Sequence, residues 1–125
     1  MFYYKHIRVI LFGIIMIILG LGYITVKSDK LDDWIEFSNH YLGMQLVDKT
    51  KSTAILRMDE RKQRFVITNE TAASNIFGWE VLDKKNLDIL ASRLEKADIK
   101  IIKEPKNIAE QRYVTEVISF YDPSG

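Results

Sequence analysis

Histidine is the first residue type to examine, because imidazole serves both as an acid-base catalyst and as the commonest metal ligand. The chain has two histidines, His6 and His40, and no cysteine. The absence of cysteine removes disulfides, thiolate nucleophiles and cysteine-based zinc sites together. No glycine-rich phosphate loop and no Ser-His-Asp set can be assembled from the other residues. We therefore predict no catalytic, cofactor-binding or metal-binding residue in this chain.

Several single side chains have a structural interpretation that is simpler than a functional one. His40 is expected near the end of a helix, where the helix dipole favours an imidazolium. Trp34 and Trp79 are expected in the core, and Glu80, in an apolar strand, is expected to point outward. Burial of Glu80 would be informative, because buried carboxylates often mark functional sites.

Residues 57–64, with the sequence RMDERKQR, form the densest charged run of the chain. Such a run is typical of a solvated hairpin tip. The alternative is a surface that packs on a partner domain, since loops often carry contacts of this kind.

Composition limits the class of protein. The chain has 125 residues, 47% hydrophobic and 28% charged, which fits one folded domain with a hydrophobic core. A formal net charge of +1 lacks the concentrated positive charge that binds a phosphate backbone, so nucleic acid is not expected as a partner. The lack of cysteine is compatible with a reducing compartment, and we expect a cytoplasmic protein.

The N-terminus is apolar, and no charged residue lies between Arg8 and Lys27. Val9 to Val26 is long enough to suggest a membrane helix. However, residues 21–26 are better interpreted as a strand, which leaves about 12 residues, too few to span a membrane. Three alternatives stay open for residues 1–20: a start-site artefact with initiation at Met16, a short hydrophobic tail or anchor, and a signal peptide.

The body of the chain predicts a helix followed by three strands. Apolar residues at Leu31, Trp34, Ile35, Tyr41 and Leu42 predict a helix over residues 30–42. Ser28 or Asp29 would cap its start and Gly43 would end it. Strands are predicted at Met44–Asp48, Thr53–Met58 and Arg64–Thr68.

The same pattern recurs after a shift of 56 residues, so that Gly22 corresponds to Gly78 and Tyr23 to Trp79. Asp83 would cap the second helix, whose apolar face carries Leu87, Leu90, Ala91, Leu94 and Ala97. Strands are predicted at Lys100–Lys103 and Val114–Tyr121, followed by the β-turn Asp122-Pro123-Ser124-Gly125.

The predicted fold class is therefore α+β, with two tandem βαβββ modules of which the second lacks its last strand. Residues 1–20 would be an N-terminal extension and residues 21–125 one domain, with modules at 21–70 and 74–125. A strand without its partner is a poor end for a domain, so we expect the parent sequence to continue.

Five ordered strings carry a resemblance to a known family: LGYITV at 21–26, YLGMQ at 41–45, RMDER at 57–61 with Arg64, GWEV at 78–81 and FYDPSG at 120–125. Paired βαβββ modules are similar to the vicinal oxygen chelate superfamily, which includes glyoxalase I and the bleomycin resistance proteins. The strings themselves resemble the N-terminal, non-catalytic domain of type I extradiol dioxygenases of the 2,3-dihydroxybiphenyl 1,2-dioxygenase kind.

The resemblance implies a parent enzyme that inserts both atoms of dioxygen into a catechol-type ring. Its Fe(II) would be held by two histidines and one glutamate of a C-terminal catalytic domain, the expected partner in a homo-oligomer. Tyr23 stands where the matching strand of the catalytic domain would carry its first histidine. We therefore expect the isolated chain to be inactive; the alternatives are a free-standing small ligand-binding protein of the superfamily and a membrane-tethered remnant.

Overall fold

The computed structural model describes residues 1–4, 17–71 and 73–123. The chain divides into two compact units, Gly22–Phe77 and Met1–Leu21 with Gly78–Gly125. Along the described residues the elements are β1 (Phe2–Tyr4), β2 (Ile18–Lys27), α1 (Leu31–Tyr41), β3 (Gln45–Lys49), β4 (Thr53–Arg57), β5 (Phe65–Thr68), β6 (Ile76–Val81), α2 (Lys84–Lys96), β7 (Ile102–Lys103), α3 (Lys106–Gln111) and β8 (Glu116–Ser119).

The first unit contains the predicted strand-helix-strand-strand-strand order. Its strands lie in the order β3-β4-β5-β2, with β2 parallel to β5 and the other neighbours antiparallel. Helix α1 covers one face of this sheet, and Val26, Trp34, Ile35 and Phe65 pack around the buried cluster. The buried residues of that cluster are Leu31, Met44, Ala54, Leu56 and Ile67.

Helix α1 confirms some sequence predictions and corrects others. Gly43 has a φ of +65°, the left-handed conformation expected after the last turn. The predicted cap was wrong: Lys30 occupies the N-cap position without a side-chain cap, and the Ser28 hydroxyl accepts only from the Lys30 N–H. Tyr41 and Leu42 were expected on the buried face but are exposed, because the helix ends beside them.

Ser38 takes the central place on the packed face of α1 instead. Its side chain is fully buried, and among the described residues its hydroxyl has no hydrogen-bond partner. A buried hydroxyl without a partner loses its hydration without compensation and destabilises the folded state.

The second unit has the strand order β6-β1-β8-β7. Helix α2 packs on one face through Leu87, Leu90 and Ala91, which lie against Val81 and Ile118. The Asp83 carboxylate accepts from the Asn86 backbone N–H at 2.8 Å, which confirms the predicted cap. The short helix α3 was not predicted from the sequence, and it precedes β8, which lies within the expected Val114–Tyr121 segment.

Strand β1 is the largest difference from the sequence prediction. Phe2–Tyr4 lie between β6 and β8, parallel to the first and antiparallel to the second. Strand β2 begins at Ile18, three residues before the expected Leu21. Most of the apolar segment, residues 9–16, lies outside the described residues, and among the described residues no helix is long and apolar enough to cross a membrane.

The charged hairpin tip is anchored rather than freely solvated. The Arg64 guanidinium donates to the Asp59 carboxylate at 2.8 Å through Nε and to the Gly22 carbonyl at 2.8 Å through Nη1. The Arg61 N–H also donates to Asp59. These contacts join the β4–β5 hairpin to β2, and they hold the pKa of Asp59 below its ordinary value of 3.8, chiefly through the hydrogen bond from Arg64.

Replacing Ser38 with alanine should stabilise the protein, because it removes a buried hydroxyl that lacks a partner. We expect the free energy of unfolding to rise by about 1 kcal/mol beyond the gain in helix propensity. Urea denaturation followed by tryptophan fluorescence would measure it. Ser92→Ala, at an exposed position of α2, is the matched control for propensity alone. A smaller gain for Ser38→Ala than for Ser92→Ala would contradict the assignment.

Asp59→Asn should flatten the acid dependence of stability. A carboxylate whose pKa is lowered by folding stabilises the protein above its ordinary pKa, and that contribution disappears as the pH falls through the lower, folded-state value. The stability difference between wild type and Asp59→Asn should therefore be full above about pH 5 and should shrink as the pH falls below 3.8. Urea titrations at each pH would test this, and a constant difference would refute it. Glu60→Gln serves as the control on the same tip.

Candidate functional site

In the first unit, the sheet face opposite α1 is the place to look for functional groups. Side chains alternate across a strand, and Val26 packs under the helix, so Tyr23 and Thr25 point to the other face. Tyr23 is 2% exposed and Thr25 is 3% exposed. Thr25 lies beside Val66 in the parallel pair. This face therefore presents a buried phenol and a buried hydroxyl.

In the second unit, the sheet face opposite α2 carries Glu80, which is 5% exposed. The expectation that Glu80 points outward was wrong. Glu80 lies beside Tyr3, which in turn lies beside Val117, and all three are buried. Val81 points the other way, under α2, so this end of β6 is covered on both faces. Among the described residues, Glu80 is the buried carboxylate.

The two tryptophans differ in their surroundings. Trp34 packs against the α1 core, with its ring centroid 6.0 Å from that of Phe65, as expected. Trp79 was expected in the core but is 38% exposed. Because side chains alternate along β6, Trp79 lies on the same face as Val81, so its exposure reflects incomplete cover at that position and not the phase of the strand.

These two faces do not supply a ligand set for iron. A non-haem Fe(II) site in oxygenases uses two imidazoles and one carboxylate on one side of the metal. The candidate positions carry a phenol at Tyr23, a hydroxyl at Thr25 and a carboxylate at Glu80. Among the described ranges, no group of three histidine, cysteine or acidic residues could hold a metal ion. The residues present therefore do not fit the cofactor.

The histidines do not change this result. His40 lies exposed on the last turn of α1, where its Nδ1 is 3.2 Å from the Glu36 carbonyl oxygen. His40 is exposed to solvent, whereas Tyr23 and Glu80 are buried. His6 lies outside the described residues.

One charged cluster outside these faces has a structural explanation. Lys84 donates to Asp88 at 2.8 Å and to Glu116 at 2.7 Å, which joins the start of α2 to β8. The hydrogen bonds to Asp88 and then Glu116 raise the pKa of Lys84 well above its usual value. A lysine held in its charged form cannot serve as a base or a nucleophile near neutral pH.

An open depression of about 890 Å³ lies at the start of α1 in the first unit. Its lining is polar, and its most prominent contact is the salt bridge between Asp32 and Lys49, both largely exposed. Exposed ion pairs of this kind contribute little and bind little. The sheet faces that bury Tyr23 and Glu80 are therefore better candidates than this depression for positions related to a functional site.

Comparison with known proteins agrees with this geometry. Residues 21–69 match the family model described as dihydroxybiphenyl dioxygenase BphC D1. The biphenyl-2,3-diol 1,2-dioxygenase of Paraburkholderia xenovorans (strain LB400) is 30% identical over 111 residues, which cover 88% of this chain and 37% of the relative. The iron-dependent extradiol dioxygenase of Rhodococcus jostii (strain RHA1) is 30% identical over 112 residues, covering 88% and 37%. The chain thus spans a little over a third of the length of these relatives.

A solved structure gives the same result for the fold. The crystal structure of catechol 2,3-dioxygenase superposes with a TM-score of 0.80 at 29% identity, over 88% of this chain and 38% of that one. The match covers both βαβββ-type modules, which confirms the predicted α+β class. Sequence and fold together assign this chain to the BphC D1 domain family of the extradiol ring-cleavage dioxygenases.

Proposed function

We propose that this chain is the N-terminal structural domain of an Fe(II)-dependent extradiol dioxygenase that cleaves catechol-type rings. One combined observation carries the proposal: the chain matches only part of the length of its relatives, and its candidate donor positions do not form an iron ligand set. The chain matches relatives over 88% of its own length but 37% of theirs, and its candidate donor positions hold no imidazole. The activity would then belong to the parent protein, and the isolated chain would be inactive.

The iron, when bound in the parent, supplies open coordination positions for a catecholate and for dioxygen, and we propose that a C-terminal domain holds it. The residues of this chain contribute packing. Tyr23 fills the sheet face on which the catalytic modules of the family carry a histidine. The pairing of Glu80, Tyr3 and Val117 fills the corresponding face of the second unit.

The same proposal includes the domain division and the partners. Residues 21–125 would form the glyoxalase-like domain, with the C-terminal catalytic domain of the parent as its partner within a homo-oligomer. A cytoplasmic location is supported by the absence of cysteine, which suits a reducing compartment.

A free-standing small ligand-binding protein of the same superfamily is the second candidate, and one observation favours it. The described residues after β8 contain no strand, which alone would leave one edge of β8 unpaired. However, β1 lies beside β8 at this edge and pairs with both β8 and β6. A sheet without an open edge at this position could fold without a further domain.

The test is to purify the full chain, incubate it with Fe(II) without oxygen, and measure bound iron, catechol binding and oxygen uptake. The structural-domain proposal expects iron well below one ion per chain, no saturable catechol binding and no oxygen uptake above that of the buffer. The physical reason is that the candidate donors among the described residues, Tyr23, Thr25 and Glu80, include no imidazole.

Glu80→Gln is the control for any residual iron. Weak binding that persists in Glu80→Gln is adventitious and leaves the proposal intact. Stoichiometric iron with ring cleavage that Glu80→Gln abolishes would overturn it. Saturable catechol binding without turnover would instead favour the ligand-binding protein.

A further inference from the structure

The two units share one sheet pattern, but they build it from different parts of the chain. In the first unit, β2 is parallel to β5, β5 is antiparallel to β4, and β4 is antiparallel to β3. In the second unit, β6 is parallel to β1, β1 is antiparallel to β8, and β8 is antiparallel to β7. Strand β1 therefore occupies the position that β5 occupies in the first unit. The first unit fills this position with its last strand and the second with the first strand of the chain.

The contacts of β1 are those of an internal strand. Phe2 lies beside Trp79 and Ile118, Tyr3 beside Glu80 and Val117, and Tyr4 beside Val81 and Glu116. The Trp79 N–H donates to the Met1 carbonyl at 2.7 Å. The central side chain, Tyr3, is 5% exposed. Burial also lowers the pKa of the Met1 amino group, as expected when the chain terminus lies against the sheet.

Strand β1 is short for the position it fills. It covers three residues of β6 and three of β8, whereas β5 contributes four residues to the first unit. Each ordered residue costs about 1–2 kcal/mol of backbone entropy, and a three-residue strand has few ladder hydrogen bonds to offset this cost. Its neighbours β6 and β8 have six and four residues, and they would remain as a template if β1 left. Such a template binds an extended segment by strand addition.

We propose that the slot between β6 and β8 is a strand-acceptor site that binds an extended peptide with an aromatic residue at its central position, and that residues 2–4 are its exchangeable internal occupant. The specificity comes from the buried central position that Tyr3 occupies beside Val117 and Glu80. The affinity comes from parallel pairing with β6 and antiparallel pairing with β8. This inference concerns binding in the sheet and stands whether or not the proposed function is correct.

The first test is disulfide cross-linking in the full chain, which has no cysteine of its own. Tyr4→Cys with Glu116→Cys joins two residues that lie directly opposite each other. Oxidation should give a cross-linked monomer. Tyr4→Cys with Ile118→Cys, which is out of register by two residues, is the matched control and should cross-link at least tenfold more slowly. Equal rates, no cross-link, or a cross-link between two chains would each overturn the assignment of residues 2–4 to their own slot.

The second test measures exchange. Tyr3→Pro removes the central N–H and the buried ring, and so should release β1 from the full-length chain. A fluorescent peptide with the sequence of residues 1–8 should bind this variant at least tenfold more tightly than it binds wild type. The same peptide with proline in place of its tyrosine at position 3 should not bind. Equal binding to variant and wild type, or no binding to a folded variant, would overturn exchange.

If Tyr3→Pro does not fold, the peptide is tested for its effect on the cross-linking variant. An excess of peptide should slow the disulfide between Tyr4→Cys and Glu116→Cys at least threefold, because both segments compete for one slot. An unchanged rate would overturn the acceptor site. A slower rate supports the acceptor site and an unchanged rate overturns it, so no variant that lacks residues 2–4 is needed.

Discussion

The requirement that every buried backbone N–H and C=O find a partner governs this structure more than any single side chain does. A β-sheet meets it only when the strands inside the sheet are paired on both edges. The first unit satisfies the rule with five consecutive elements, β2 to β5 around α1. The second unit satisfies it with a segment from the other end of the chain, because β1 lies between β6 and β8. The hydrophobic cores under α1 and α2 depend on these strands being hydrogen-bonded to their neighbours.

Local signals account for the parts that sequence could predict. The cap at Asp83 and the apolar face of α2 lie within one helix, so their pattern is complete in a short stretch. Gly43 is also a local signal, since the left-handed turn needs only that residue. The helix positions and the strands β3 to β5 follow from the same kind of information, as does the α+β class. The five ordered strings that begin with residues 21–26 indicate the family without any structural information.

Non-local pairing accounts for the parts that sequence could not predict. A three-residue strand such as β1 has no periodicity of its own, and its partners lie about 75 to 115 residues away along the chain. The burial of Glu80 depends on its pairing with Tyr3 of β1, a contact that the local sequence does not reveal. The burial of Ser38 was not predicted because serine is polar, and a polar residue is normally expected on the exposed face of a helix. The prediction that no site residue is present has not been tested, although the donors at Tyr23, Thr25 and Glu80 do not match an iron site.

The position of β1 also sets an order of events during synthesis. Residues 2–4 leave the ribosome long before their antiparallel partners at residues 116–118 are made. At about 5–20 residues per second, the N-terminal strand waits roughly 6 to 20 s for its neighbours. The first unit can fold during that time from contacts within residues 22–77. Pairing of β1 with β8 then closes one very long loop, so the second unit can finish folding only after residues 116–118 have emerged.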